Sequence, residues 1–197
     1  MADKSYESRR MILGENGYEL IEEYEAAVPI KRVRETSTDL SRGIMGEIVW
    51  EVVPGLYMFY HQDPLAGSSY LSLVGDDRET LDEFARTLET DFGPLPLDSI
   101  LNDATSEHDP DRLPHFLLQA GVGAPIEFDE RFFNLLKSGM RHRDEIVRTA
   151  ATRAAAYPAW VEFLPELDTI AASDNDTELR REAAEVASTI RRDRGVS

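Results

Sequence analysis

The chain has 197 residues, with 38 acidic against 21 basic side chains and a net charge of −17. That length buries a core without covalent staples, and a content of 42% hydrophobic and 30% charged residues belongs to a folded protein rather than a disordered one. No cysteine occurs, which excludes disulfides, thiolate metal sites and cysteine nucleophiles.

The charge is unevenly placed. Residues 131–197 hold 11 acidic and 11 basic side chains, so the whole acidic excess lies in residues 1–130. Such a surface repels nucleic-acid phosphates and anionic membranes and attracts a basic protein. The plainer reading is solubility in a salty cytoplasm. Only 3 of the 21 basic residues are Lys, which fits a salt-adapted proteome or a GC-rich genome equally well. The first ten residues are polar, with no apolar stretch of the kind a secretory signal needs, and no apolar run approaches a membrane span. The expectation is a cytoplasmic protein.

Residues 1–16 read as an irregular lead-in. Tyr18, Leu20, Ile21 and Tyr24 share one side of a predicted helix that Pro29 stops. Residues 31–46 read as a loop, with a short strand at 30–34. Three strands follow: Ile48, Trp50 and Val52 alternate onto one face, Leu56 to His61 is rich in aromatics, and Tyr70 to Val74 is apolar. Pro54-Gly55 and the stretch from Asp63-Pro64 to Gly67 supply the turns of an antiparallel meander. Asp76 with Glu79 has capping-box spacing, and Leu81, Phe84, Ala85 and Leu88 form a helical stripe able to cover one sheet face. The fold class predicted for residues 1–92 is therefore an α+β domain built on a three-stranded meander with helices.

Residues 93–111, with Pro94, Pro96 and Pro110 among acidic and small residues, read as a connection. From residue 112 to the C-terminus the pattern is all helical. A short helix over 112–120 is stopped by Gly121. A helix over 130–140 is capped by Asp129, and another covers 144–157. Pro158-Ala159-Trp160 opens a fourth, to about residue 172. The last is capped from Asp174 to Asp176 and reaches about Arg192.

Two of these helices repeat. Asp144-Glu145-Ile146-Val147-Arg148-Thr149-Ala150-Ala151 matches Thr177-Glu178-Leu179-Arg180-Arg181-Glu182-Ala183-Ala184 when Glu145 is set on Glu178 and the alanine pairs on each other, an offset of 33 residues. The apolar–Arg step then slips by one. An acidic cap, an apolar–Arg step and small residues that let helices approach closely resemble the second helix of a HEAT-type repeat, over residues 129–192. The period is shorter than the usual ~40. The resemblance implies a stack of helical pairs that buries its core between neighbours, and a binding surface for another protein.

Several constellations were weighed as sites. Asp111 and His115 stand four residues apart with His108 nearby, a spacing for a divalent metal, but Pro110 and Pro114 interrupt the segment and a solvated linker explains it as well. His61 and Asp63 end a strand, where an acid–base pair could sit or where polar residues simply face water. No nucleophile elbow and no phosphate-binding glycine loop are present. The basic residues Arg141, Arg143 and Arg148, and the strand aromatics Tyr57 and Phe59, are the candidate partner-binding residues. No cofactor, metal or catalytic group is assigned. The function expected is a non-catalytic protein–protein interaction module, such as an adaptor, a scaffold subunit or an immunity-type inhibitor, with an acidic surface suited to a basic partner. The alternatives are an enzyme using His61/Asp63 or His108/Asp111/His115, and a regulator that mimics nucleic acid.

Overall fold

The computed structural model describes residues 5–14, 16–39 and 45–196, and the chain divides into two units, 1–95 and 96–197. The first unit contains β1 (Tyr6–Glu7), β2 (Met11–Leu13), α1 (Gly17–Ala27), β3 (Lys31–Thr36), β4 (Gly46–Val53), β5 (Leu56–Asp63), β6 (Ser68–Gly75) and α2 (Arg78–Phe92).

The expected meander is present as β4–β5–β6, but it is half of a larger sheet. All six strands pair antiparallel: β3 lies on the outer edge of β4, and β1 and β2 lie along the outer edge of β6. The lead-in is therefore strand rather than irregular chain. Met11, Ile12 and Leu13 are all buried, and three consecutive apolar residues display no period by which a strand is recognised.

Register fixes the core. Ile48, Tyr60, Leu71 and Met11 line up across four strands, and Trp50, Met58 and Leu73 form the next row on the same face. Ile21 of α1 and Leu81, Leu88 and Phe92 of α2 pack on these rows. Alternation puts Val49, Tyr57, Phe59, His61 and Tyr70 on the second face. The cap of α2 is Asp77 rather than Asp76: its carboxylate accepts the Thr80 amide at 2.8 Å. Gly93, at φ +52, ends the helix in the left-handed conformation that glycine adopts without penalty.

The second unit is helical throughout: α3 (Leu97–Ser106), α4 (Leu113–Gly123), α5 (Glu130–Met140), α6 (Glu145–Ala154), a 3-10 turn (Val161–Phe163), α7 (Leu164–Ser173) and α8 (Thr177–Arg194). The stretch read as a connection thus contains the whole of α3. Its Pro96 stands at the N-cap in extended conformation, and Ile100, Leu101 and Ala104 are buried.

The helices pack as three hairpins, α3 with α4, α5 with α6 and α7 with α8, and the second helices touch in the row α4–α6–α8. The helix α4 runs through Gly121 instead of stopping there. A Cβ at that position would lie 2.7 Å from the Ala154 Cα, so the missing side chain is what lets α4 and α6 approach. Gly139 does the same for α5, where a Cβ would lie 2.8 Å from that of Ala151.

The correspondence between the last two hairpins is 32 residues, not 33. Asp144 and Asp176 cap α6 and α8 by accepting the amides of Ile146 and Leu179. Val147 and Leu179, Ala151 and Ala183, and Ala155 and Ala187 are buried in matching places. Arg148 and Arg180 each donate to the carbonyl six residues back, of His142 and of Asp174. At this offset the arginine step matches with no slip. The two alanine pairs are not equivalent, because only one alanine of the Ala183-Ala184 pair faces inward.

Between α6 and the 3-10 turn, Ala159 takes a φ of +50, a left-handed conformation that a Cβ disfavours. Arg194 of α8 holds this turn, its Nε donating to the Ala159 carbonyl at 3.1 Å and its Nη2 to that of Pro158 at 3.0 Å.

Candidate interaction surfaces

The candidate partner-binding arginines part company. Arg148 is an internal strap. Its Nε and Nη2 grip the two carboxylate oxygens of Asp174 at 2.8 and 3.0 Å, and its Nη1 donates to the carbonyls of His142 and Arg143, both at 3.1 Å. The side chains of Arg148 and Asp174 are 15% and 10% exposed, the pair drawn furthest from water among those of the described residues. The hydrogen bonds from Arg148 hold the Asp174 carboxyl below the usual carboxylate range. Arg153 makes a second strap, from α6 to Glu182 of α8, at 2.8 Å. Both guanidinium groups serve the stack.

Arg141 and Arg143 lie at the surface, in the turn between α5 and α6. Arg141 pairs with Glu166 of α7 at 2.9 Å, and Lys137 reaches the same carboxylate at 3.4 Å. The Arg143 side chain makes no ion pair among the described residues. With Asn134, Ser138 and His142 these three cations line an open hollow of about 610 Å³ that contains no carboxylate. It adjoins, through Ser138 and His142, a cleft of about 450 Å³ between α3, α4 and α5.

The histidines separate in the same way. His108 lines that cleft. Asp111 donates its amide to Asp109 at 3.0 Å, and His115 turns its ring to Phe116, centroids 5.3 Å apart. Among the described residues no group of three His, Asp or Glu could hold a metal ion. In the sheet unit, the Asp63 carboxylate is buried and accepts the amides of Leu65 and Ala66, both at 3.0 Å, so it fixes the β5–β6 turn. His61 lies instead beside Phe59 (ring centroids 6.0 Å), Tyr70 (4.8 Å) and Glu47 (3.8 Å from Nδ1). Burial lowers its pKa, outweighing the opposite pull of Glu47. Tyr57, on the same sheet face, is exposed.

Sequence reasoning missed a surface altogether. Phe128, Phe133, Trp160 and Phe163 form one aromatic cluster with neighbouring centroids 5.1 to 5.8 Å apart. The Trp160 Nε1 donates to the Ile126 carbonyl at 3.1 Å, fixing the α4–α5 loop against the chain ahead of the 3-10 turn. Trp160 and Phe163 are buried, yet Ile126, Phe128 and Val161 remain 39%, 45% and 37% exposed. Three large apolar residues on two segments joined by ring contacts form a patch rather than scattered surface residues. Glu127 and Glu130 stand in the first segment and Glu162 in the second. All three are exposed and make no ion pair among the described residues. The one available signal was Phe128 and Trp160 flanked by acids and proline in loops, where aromatics have no helical stripe to join.

The chain matches no family model, no curated protein and no solved structure. No helix among the described residues is long and apolar enough to cross a membrane.

Proposed function

We propose that the chain is a non-catalytic protein–protein interaction module whose helical unit is a HEAT-like stack and whose partner is basic. The observation that carries this reading is the aromatic patch at Ile126, Phe128 and Val161, edged by Glu127, Glu130 and Glu162. Aromatic anchors with a polar rim have the composition of a binding centre. The unpaired glutamates suit a segment that places lysine or arginine beside an apolar side chain, and the acidic excess of residues 1–130 would steer such a partner inward. The 32-residue correspondence, the caps at Asp144 and Asp176 and the Arg148 strap support the HEAT-like reading, because each hairpin completes itself on the next.

The test is capture from native lysate at low and high salt, with the wild-type chain beside Phe128→Ser and Tyr57→Ser variants. A stoichiometric partner should be retained by the wild type and by Tyr57→Ser, be lost from Phe128→Ser while that variant still unfolds cooperatively, and weaken as salt rises. Loss with Tyr57→Ser alone would move the interface to the sheet unit. Retention by both variants, indifferent to salt, would overturn the reading.

A further inference from the structure

The hollow and cleft described above reverse the character of the chain around them. In a protein of net charge −17, the hollow presents Lys137, Arg141 and Arg143 with no carboxylate in its wall. Glu166 is shared between Lys137 and Arg141, which leaves Arg143 without an opposite charge among the described residues. His142 adds a donor. Its Nδ1 accepts the Asp144 amide at 3.1 Å, so the proton of the neutral ring belongs on Nε2.

The adjoining cleft has a different wall. Ala104, Leu113, Leu117 and Leu135 give it an apolar flank, Thr105, His108 and Arg131 are polar members of the wall, and Ser138 and His142 belong to both openings; Arg131 is engaged by Asp129 and Asp98. The one carboxylate in the cleft, Glu107, is already engaged: it accepts the amides of His108 and Asp109, both at 2.9 Å, and pairs with Arg112 at 3.2 Å. The result is a cleft with an apolar flank that shares two residues with a cluster of donors. Its volume of about 450 Å³ is that of a small-molecule site.

We infer that this compound site binds a small amphiphilic organic anion, with its apolar body on the apolar flank of the cleft and its single anionic head, phosphate or carboxylate, at Arg143 and His142. Guanidinium groups match both heads because their N–H fork meets two oxygens at once. A long polyanion is disfavoured, since the remainder of the chain would repel it. The inference is independent of the partner reading, because the residues that carry it are not those of the aromatic patch.

The experiment is an NMR titration of the full chain with phenyl phosphate, inorganic phosphate and phenol in parallel. Phenyl phosphate should give saturable shifts at the amides of Leu117, Ser138, Gly139 and His142, at least about tenfold tighter than phosphate or phenol. Arg143→Ala should weaken phenyl phosphate about tenfold, the scale of one charged hydrogen bond, and leave phenol unchanged. Ser138→Phe should close the junction and abolish binding. Both positions are exposed, and unchanged amide spectra elsewhere would show that the fold is intact. Equal affinity for phosphate and phenyl phosphate would overturn the apolar half. Equal affinity for phenol would overturn the anionic half. Binding that survives both variants, or no saturable binding at all, would overturn the site.

Discussion

His61 shows what one side chain can report. Its ring is held among Phe59, Tyr70 and Glu47, and burial lowers its pKa. The sign follows from linkage. A base whose folded pKa lies below its unfolded value takes up protons more readily in the unfolded chain, so stability is full where both states are neutral and declines as pH falls. The decline should begin near the ordinary histidine value of about 6.5 and end at the lower folded pKa. Chemical denaturation at a series of pH values should show this loss in the wild type and not in His61→Phe. A wild type and variant with parallel profiles over that window would remove the assignment. Asp174, held low by Arg148, acts in the same direction: its stabilisation is present above the usual carboxylate value of about 4 and is lost as pH falls through the lower folded value.

At the scale of elements, the straps between hairpins decide the prediction. Arg148→Ala removes four hydrogen bonds and leaves the half-buried Asp174 without its partner, which should cost about 1–3 kcal/mol. Arg141 is mostly exposed, and Arg141→Ala should leave stability nearly unchanged. Equal losses in urea denaturation of the two variants would show that Arg148 is no strap. The contrast also measures what was legible in the sequence. Arg141 and Arg148 look alike as letters in a basic stretch and each meets a distant carboxylate; burial and the two carbonyls that Arg148 also holds separate them. The meander was legible because Ile48, Trp50 and Val52 alternate. The strand Met11–Leu13 was not, because it shows no alternation, and its place in the sheet depends on β6, which lies more than fifty residues further on. The helix Leu97–Ser106 was hidden by its prolines and acids. Pro96 could have been taken as a helix-start signal, since proline favours the first turn. The metal spacing of Asp111 and His115 assumed one continuous helix, whereas α4 begins only at Leu113. Exposure of Phe128 has no sequence signature, because it depends on which neighbours fail to cover it.

For the whole molecule, the boundary in charge at residue 130 does not fall on the boundary in construction at residue 95. Residues 1–95 form a sheet unit whose strands are joined by backbone ladders, and residues 96–197 form a stack joined by side chains. The straps of the last two hairpins use arginine, and residues 131–197 balance at 11 to 11, whereas residues 96–130 of the same unit hold 8 acidic side chains and 1 basic one. The sheet unit adds side-chain pairs to its backbone ladders, Arg9 with Glu89, Arg32 with Glu25 and Arg34 with Glu47.

The latch of Arg194 on the strained turn at Ala159 has a consequence in time. A ribosome making about 5–20 residues per second delivers Arg194 roughly 2–7 s after the turn it secures, which lies 35 residues earlier. During that interval α5 and α6 can pair, but the left-handed residue lacks the two bonds from Arg194 and keeps its own amide on Ala155 and the neighbouring Trp160 on Ile126. The nascent hairpin should thus be finished retroactively by the last turn of α8. A chain ending at Asp193 would be stalled at that stage. Its Ala159 amide, bonded to the Ala155 carbonyl at 3.2 Å in the full chain, should exchange with deuterium faster than in the wild type. Equal exchange would mean that the turn sets itself before its latch arrives.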